Sequence, residues 1–261
     1  MITSSLQSCH LGPGISPEQV ISDHFFLYLL KGSMLAYSGD KHYHFHPGDS
    51  CIARKNHLLR YTKQQQDGDF KKIVIVLDEA FLKRFLARHR VDTGIATSDD
   101  SILPVKDDQL LTSFIHSLEP YYRGEAEIEE AFADLKREEL LLILLKSDPG
   151  LAAVLFNFGA PQKIDIEAFM TRNFRFNVPL ERFAFLTGRS LSAFKRDFQQ
   201  IYNNTPGRWL TKKRLEEAYF LIHQQSQKPK DIYLELGFEN LSHFSFAFKK
   251  QFGLAPTAVL Y

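Results

Sequence analysis

Two clusters of polar side chains in the last third of the chain carry the clearest chemistry. Ser190, Ser192, Lys195, Arg196 and Gln199 form the first; Ser242, His243, Ser245, Phe246, Lys249 and Lys250 form the second. Hydroxyl, amide and imidazole groups exchange hydrogen bonds with the edges of bases, and lysine and arginine neutralise phosphates. Neither cluster holds a paired carboxylate set or a nucleophile beside a base. The chemistry they offer is recognition, and no catalytic residue is assigned.

A metal reading starts from His42, His44 and His46. They alternate and so share one face of a strand. Neighbours lie ~6.8 Å apart along it and the outer pair ~13 Å apart, so at most two could share an ion. Tyr43 and Phe45 take the opposite, inward face, which makes the histidines an exposed stripe. Cys9 and Cys51 are the only cysteines, enough for neither a disulfide framework nor a zinc finger, and they fit a reducing compartment. No metal or cofactor is expected.

The polar clusters need elements that aim them outward. In Val178–Leu210, Leu180, Phe183 and Ala184 give one helix its inner face, Gly188 stands at a sharp turn, and Ser190 can cap the next helix. There Leu191, Phe194, Phe198 and Ile201 form an inner stripe, which turns Ser192, Arg196 and Gln199 outward with Lys195 on the flank. A second copy follows from Asp231, with Gly237 at the turn, Asn240 as cap, and Leu241, Phe244, Phe248 and Phe252 as the stripe. Pro206 to about His223 reads as one helix with proline at its start and Trp209 as core. Its length, on the order of 27 Å, suits two reading helices set about one DNA turn, roughly 34 Å, apart. Residues 165–261 carry 14 Lys+Arg against 9 Asp+Glu, a net +5, and the rest of the chain a net −4. That asymmetry is permissive for phosphate contact.

Both copies resemble the paired helix-turn-helix units of the AraC/XylS family. The tail signature stands as Gly237-Phe238, Ser242, Phe244, Phe248-Lys249, Gly253 and Pro256. The first unit matches through Ala184, Gly188, Ser190, Arg196 and Phe198, and the connecting helix through Leu210, Arg214, Ala218 and Leu221. The resemblance implies promoter DNA as partner, with Arg189, Arg208, Lys249 and Lys250 on phosphates and RNA polymerase recruited or excluded. Three positions depart from the family pattern: Tyr233 replaces a small alanine, Ala255 a threonine, and Phe246 a frequent arginine. Phe246 is expected against thymine methyls, making the second unit the weaker reader.

Upstream, short β-rich runs from Phe25 to about Leu77 are punctuated by Gly32, Gly39, Pro47-Gly48 and Asp67-Gly68, as in an antiparallel sandwich or barrel. Pro47–Tyr61 is similar to the cupin-type jelly-roll sensor domain of AraC regulators. The resemblance implies an effector pocket with His57, and Tyr43 and Phe45 as further candidates. The carboxylate of metal-binding cupins is missing as glutamate, with only Asp49 nearby, which argues against the alternative of a metal-dependent cupin enzyme with accessory helices. A second alternative makes the N-terminal domain a docking module for a regulatory protein. Residues 79–88 predict a helix with Phe81, Leu82, Phe85 and Leu86 on one face. A second helix is predicted from about Glu125 to Lys146, with Ala131, Leu135, Leu142 and Leu145 at helical intervals. In the family such helices mediate dimerisation, so Leu135, Leu142 and Leu145 are candidate homodimer contacts.

The expected fold class is α+β: a cupin-like antiparallel β sandwich plus helices over residues 1–150, a linker over 151–163, and an all-α domain over 164–261 with two helix-turn-helix units joined by a long helix. No apolar run reaches the roughly 18 residues a membrane span requires. No secretory signal is read at the start, and a cytoplasmic activator is the expectation.

Overall fold

The computed structural model describes residues 6–10, 14–15, 19–39, 41–64, 70–94, 99–122 and 130–259. The chain divides into two compact units, Met1–Gly159 and Ala160–Tyr261. The Asp67-Gly68 turn and the expected helix start at 125–129 lie outside the described residues.

The first unit is an antiparallel sandwich. One sheet orders β1 (Leu6–His10), β10 (Lys71–Leu77), β4 (His24–Lys31), β7 (Ser50–Ala53) and β11 (Ile102–Pro104). The other orders β2 (Gly14–Ile15), β9 (Arg60–Gln64), β5 (Ser33–Ser38) and β6 (Lys41–Phe45). A small ladder pairs β3 (Val20–Ile21) with β8 (His57–Leu58). The alternation legible in the sequence sets which residues face inward, because side chains point to opposite faces at every step. Leu27, Leu29, Met34, Ala36, Phe45, Cys51 and Phe70 fill the space between the sheets. Phe26, Ile52, Ile73 and Ile75, one residue out of phase, face a layer of helices. The Pro47-Gly48-Asp49 turn is pinned where Gly48 N–H donates to Leu29 O at 2.8 Å and the Asp49 carboxylate accepts from His46 N–H at 2.6 Å.

That layer comprises α1 (Glu79–Arg88), α2 (Gln109–Ser117), α3 (Glu119–Tyr122), α4 (Glu130–Ser147) and α5 (Leu151–Leu155). Asp78 caps α1 by accepting from Phe81 N–H at 2.9 Å, and Phe81, Leu82 and Phe85 are buried as read. One expectation is corrected here. Residues 151–155 form a helix rather than linker, because Leu151, Ala152 and Leu155 have an apolar cluster to enter. On α4 the buried residues are Ala133, Arg137, Leu140, Leu141 and Leu144, while Leu135 and Leu142 are 62% and 46% exposed. Leu145 is half-buried against the core. Arg137 occupies the inner face because its guanidinium lies 4.0 Å from the Phe81 ring centre and bonds Val76 O, Asp78 and Asp134.

The second unit is all helical: α6 (Ile166–Asn173), α7 (Leu180–Leu186), α8 (Leu191–Tyr202), α9 (Pro206–Gln225), α10 (Pro229–Ile232), α11 (Leu241–Phe252) and a closing 3-10 turn, Pro256–Val259. At ~1.5 Å rise per residue α9 runs ~30 Å. It carries Leu215, Ala218 and Ile222 into the core that holds Phe244 and Phe248, and Trp209 against Phe198, with ring centres 5.7 Å apart.

Candidate nucleic-acid interface

Each helix-turn-helix unit turns on a glycine that nothing larger could replace. Gly188 has φ +68°, and a Cβ there would stand 2.4 Å from the backbone carbon of Gln162. Gly237 has φ +81°, and its Cβ would stand 2.7 Å from Arg175 O and 2.9 Å from Cζ of Arg214. Both positions thus require the left-handed region and an open approach of backbone. The helices that follow begin alike: Ser190 accepts from Ala193 N–H at 3.3 Å, and Asn240 accepts from His243 N–H at 2.8 Å. Ser190 therefore acts as a cap, the role its spacing predicted.

Capping and burial fix the rotation of each helix. Phe194 and Phe198 of α8, and Phe244 and Phe248 of α11, are completely buried. The opposite faces are open. Ser192, Lys195, Arg196 and Gln199 are exposed on α8, as are Ser242, His243, Phe246, Lys249 and Lys250 on α11, while Ser245 is half-buried. Arg208, in the first turn of α9, is exposed as well. Phe246 is 70% exposed, the most open of the large apolar side chains described.

Three sequence assignments are corrected. Arg189 is not free for phosphate: its side chain is 9% exposed, pairs with Asp197 at 3.1 Å, and donates to Ile164 O at 2.8 Å and Thr187 O at 2.6 Å. It ties the turn of the first unit to the segment before α6. That hydrogen bond, with Arg196 and Lys163 nearby, holds the Asp197 carboxyl below the usual carboxylate range. Ile201 is 47% exposed, because Tyr202 takes the inner place against Trp209, with ring centres 4.8 Å apart. Leu241, at 39% exposure, stands at the rim of α11 rather than under it.

Arg214 is the residue that spacing alone gave no role. It is half-buried, donates to Phe174 O at 2.7 Å, Phe176 O at 2.7 Å and Gly237 O at 3.0 Å, and desolvation lowers its pKa to about 10. One cation thus satisfies three carbonyls and sets the second turn against α9. The signal that could have found it is its polar character amid the inward stripe of α9, flanked by Leu210, Leu215 and Ala218.

The effector candidates do not gather at one point. Tyr43 and Phe45 belong to the sandwich interior. His57 sits on β8, its Nδ1 2.9 Å from Lys55 O, in a polar group with Arg54 and His24. Burial lowers the pKa of His57 and takes that of His24 down to about 3. His42, His44 and His46 all face outward. Among the described residues no three His, Cys, Asp or Glu side chains stand together as a metal site.

Comparison with known proteins bears on the same two regions. Residues 24–154 match the family described as the ExsA N-terminal regulatory domain, and residues 183–260 match a helix-turn-helix domain. The chain belongs to the AraC/XylS family. As a family member it is a DNA-binding transcription regulator. It is 24% identical to the HTH-type transcriptional regulator ExsA of Pseudomonas aeruginosa, over 97% of this chain and 91% of that one. It is 28% identical to the virulence regulon transcriptional activator VirF of Yersinia enterocolitica, over 51% of this chain and 49% of that one. An apo ToxT variant from Vibrio cholerae strain SCE256 aligns over 99% of this chain and 97% of that one, at 14% identity and a TM-score of 0.47. The AraC/XylS relatives named here are regulators of transcription, and no helix among the described residues is long and apolar enough to cross a membrane.

Proposed function

We propose that this chain is a cytoplasmic transcription activator whose helices α8 and α11 enter two adjacent major-groove segments of promoter DNA. The observation that carries the reading is the matched construction of the two helices: each is capped at its start, buried along phenylalanines, and polar on its open face. Major grooves about 12 Å wide admit a helix, and side chains near its start meet base edges. Ser192, Lys195, Arg196 and Gln199 read the first segment; Ser242, His243, Ser245 and Phe246 read the second. Arg208, Lys249 and Lys250 meet phosphates.

The N-terminal unit senses a small molecule, and the protein works as a homodimer that recruits RNA polymerase. The dimer reading is supported by α4, where Leu135 and Leu142 are exposed on the side away from the core and Phe132 extends the strip at 53% exposure. DNA-binding titrations at two salt concentrations test the central part. Replacing Lys249 and Lys250 together by alanine lowers affinity for specific and random duplexes alike and reduces the salt slope by about 2. Unchanged affinity in 50 mM salt would remove α11 from the interface.

A further inference from the structure

The two polar-faced helices are attached to different parts of α9. Its first turn carries Trp209 against Phe198 and Tyr202 of α8, and its later turns carry Leu215, Ala218 and Ile222 into the core that holds Phe244 and Phe248 of α11. The rise of α9 sets their separation along its own axis. It does not set the swing of one helix-turn-helix against the other, because packing along a stripe fixes a crossing angle only to within roughly 15–20° to either side.

A set of polar contacts supplies the missing constraint. Arg214 stands on α9 between the two apolar groups, and its guanidinium faces both helix-turn-helix units. The edge formed by Nε and Nη2 donates to Phe174 O and Phe176 O, each at 2.7 Å, in the loop that leads from α6 into α7. On the other side Nη1 donates to Gly237 O at 3.0 Å, in the turn that leads into α11. The loop belongs with the first helix-turn-helix: Phe176 is completely buried, and Phe169 of α6 meets Phe183 of α7 edge-on, with ring centres 6.4 Å apart. Two more contacts run alongside. Arg175 pairs with Glu217 of α9, and Asn177 Nδ2 donates to Glu239 Oε1 at 3.4 Å. Loop and turn also approach closely, since a Cβ on Gly237 would stand 2.7 Å from Arg175 O. Three carbonyls in two directions match a planar fork, whereas a lysine ammonium cannot present two parallel N–H groups.

We infer that Arg214 is a positioning residue that determines specificity: by locking the loop before α7 to the turn before α11, it fixes the phase between α8 and α11. That phase decides how many base pairs the protein accepts between its two DNA segments. The inference rests on the proposed two-segment reading and adds spacing to what is read. One base pair inserted between the segments carries the second ~3.4 Å along the duplex and about a tenth of a turn around it. That step is comparable with the whole play that packing alone would leave, so the lock supplies the discrimination. Arg214 acts through the helices it positions, with no contact of its own to DNA.

Titration of the full-length protein on labelled duplexes tests this. The set comprises an operator selected from random sequence, the same operator with one base pair added or removed between its segments, and two duplexes with one or the other segment scrambled. The native protein loses about tenfold or more in affinity at either altered spacing. In Arg214→Lys that penalty falls to about threefold or less, while affinity for each scrambled duplex stays within about twofold of native, as expected of two folded units no longer held in phase. Glu217→Gln breaks the Arg175 pair while leaving the three carbonyls served by Arg214, and it shifts the penalty in the same direction with Tm held. A role confined to holding the fold gives the reverse, lower affinity on every duplex with the native spacing penalty kept, and that result overturns the proposal. The native penalty retained in both variants overturns it too, with the two-segment reading left standing. A native protein indifferent to scrambling of either segment refutes that reading itself, and the lock with it.

Discussion

At the scale of single residues, two arginines seven positions apart in the sequence take opposite roles in space. Arg189 and Arg196 both belong to the polar side of the first unit, and both are expected on DNA from the sequence. Arg189 instead spends its guanidinium on Asp197 and two backbone carbonyls, while the Arg196 side chain is 70% exposed. Arg189→Ala leaves buried acceptors without a donor and lowers stability by about 2 kcal/mol, visible as a lower Tm. Arg196→Ala changes stability by less than about 0.5 kcal/mol and weakens specific DNA binding. Equal Tm values for the two variants would contradict this division. The sequence could not separate them, because the carbonyls of Ile164 and Thr187 that claim Arg189 become neighbours only when the turn at Gly188 closes.

At the scale of elements, the caps and turn glycines were legible: Ser190, Gly188, Asn240 and Gly237 each sit where their side-chain chemistry or lack of a side chain placed them. The six β runs from Phe25 to Leu77 were legible too, since alternation fixes a strand's inner face. The phase of a leucine-rich helix is harder to read. In α4, Leu140 to Leu145 present apolar groups on every side, and Arg137, which marks the true inner face, looks like a surface residue until Asp78, Asp134 and Val76 O receive it. Tyr202 displaces Ile201 for a related reason: packing against Trp209 advances the α8 stripe by four residues per turn, through Phe194, Phe198 and Tyr202. The exposed strip of α4 carries its own prediction. Leu135→Glu with Leu142→Glu converts a dimer to a monomer by sedimentation, with Tm held, because neither side chain supports the core. A dimer that survives both substitutions places the interface elsewhere.

At the scale of the whole molecule, sensing is proposed for the first unit and DNA reading for the second, which exposes a repeated basic and polar face on α8 and α11. Each protomer is proposed to read two major-groove segments, one with α8 and one with α11. Hydroxyl-radical footprinting on an operator selected from random duplexes tests this most directly, comparing the native chain with a Ser192→Ala, Lys195→Ala, Arg196→Ala variant. The native protein protects two segments about one helical turn apart per protomer, and the variant loses protection of one while the other persists. A single continuous footprint, or equal fading of both segments, would contradict the account.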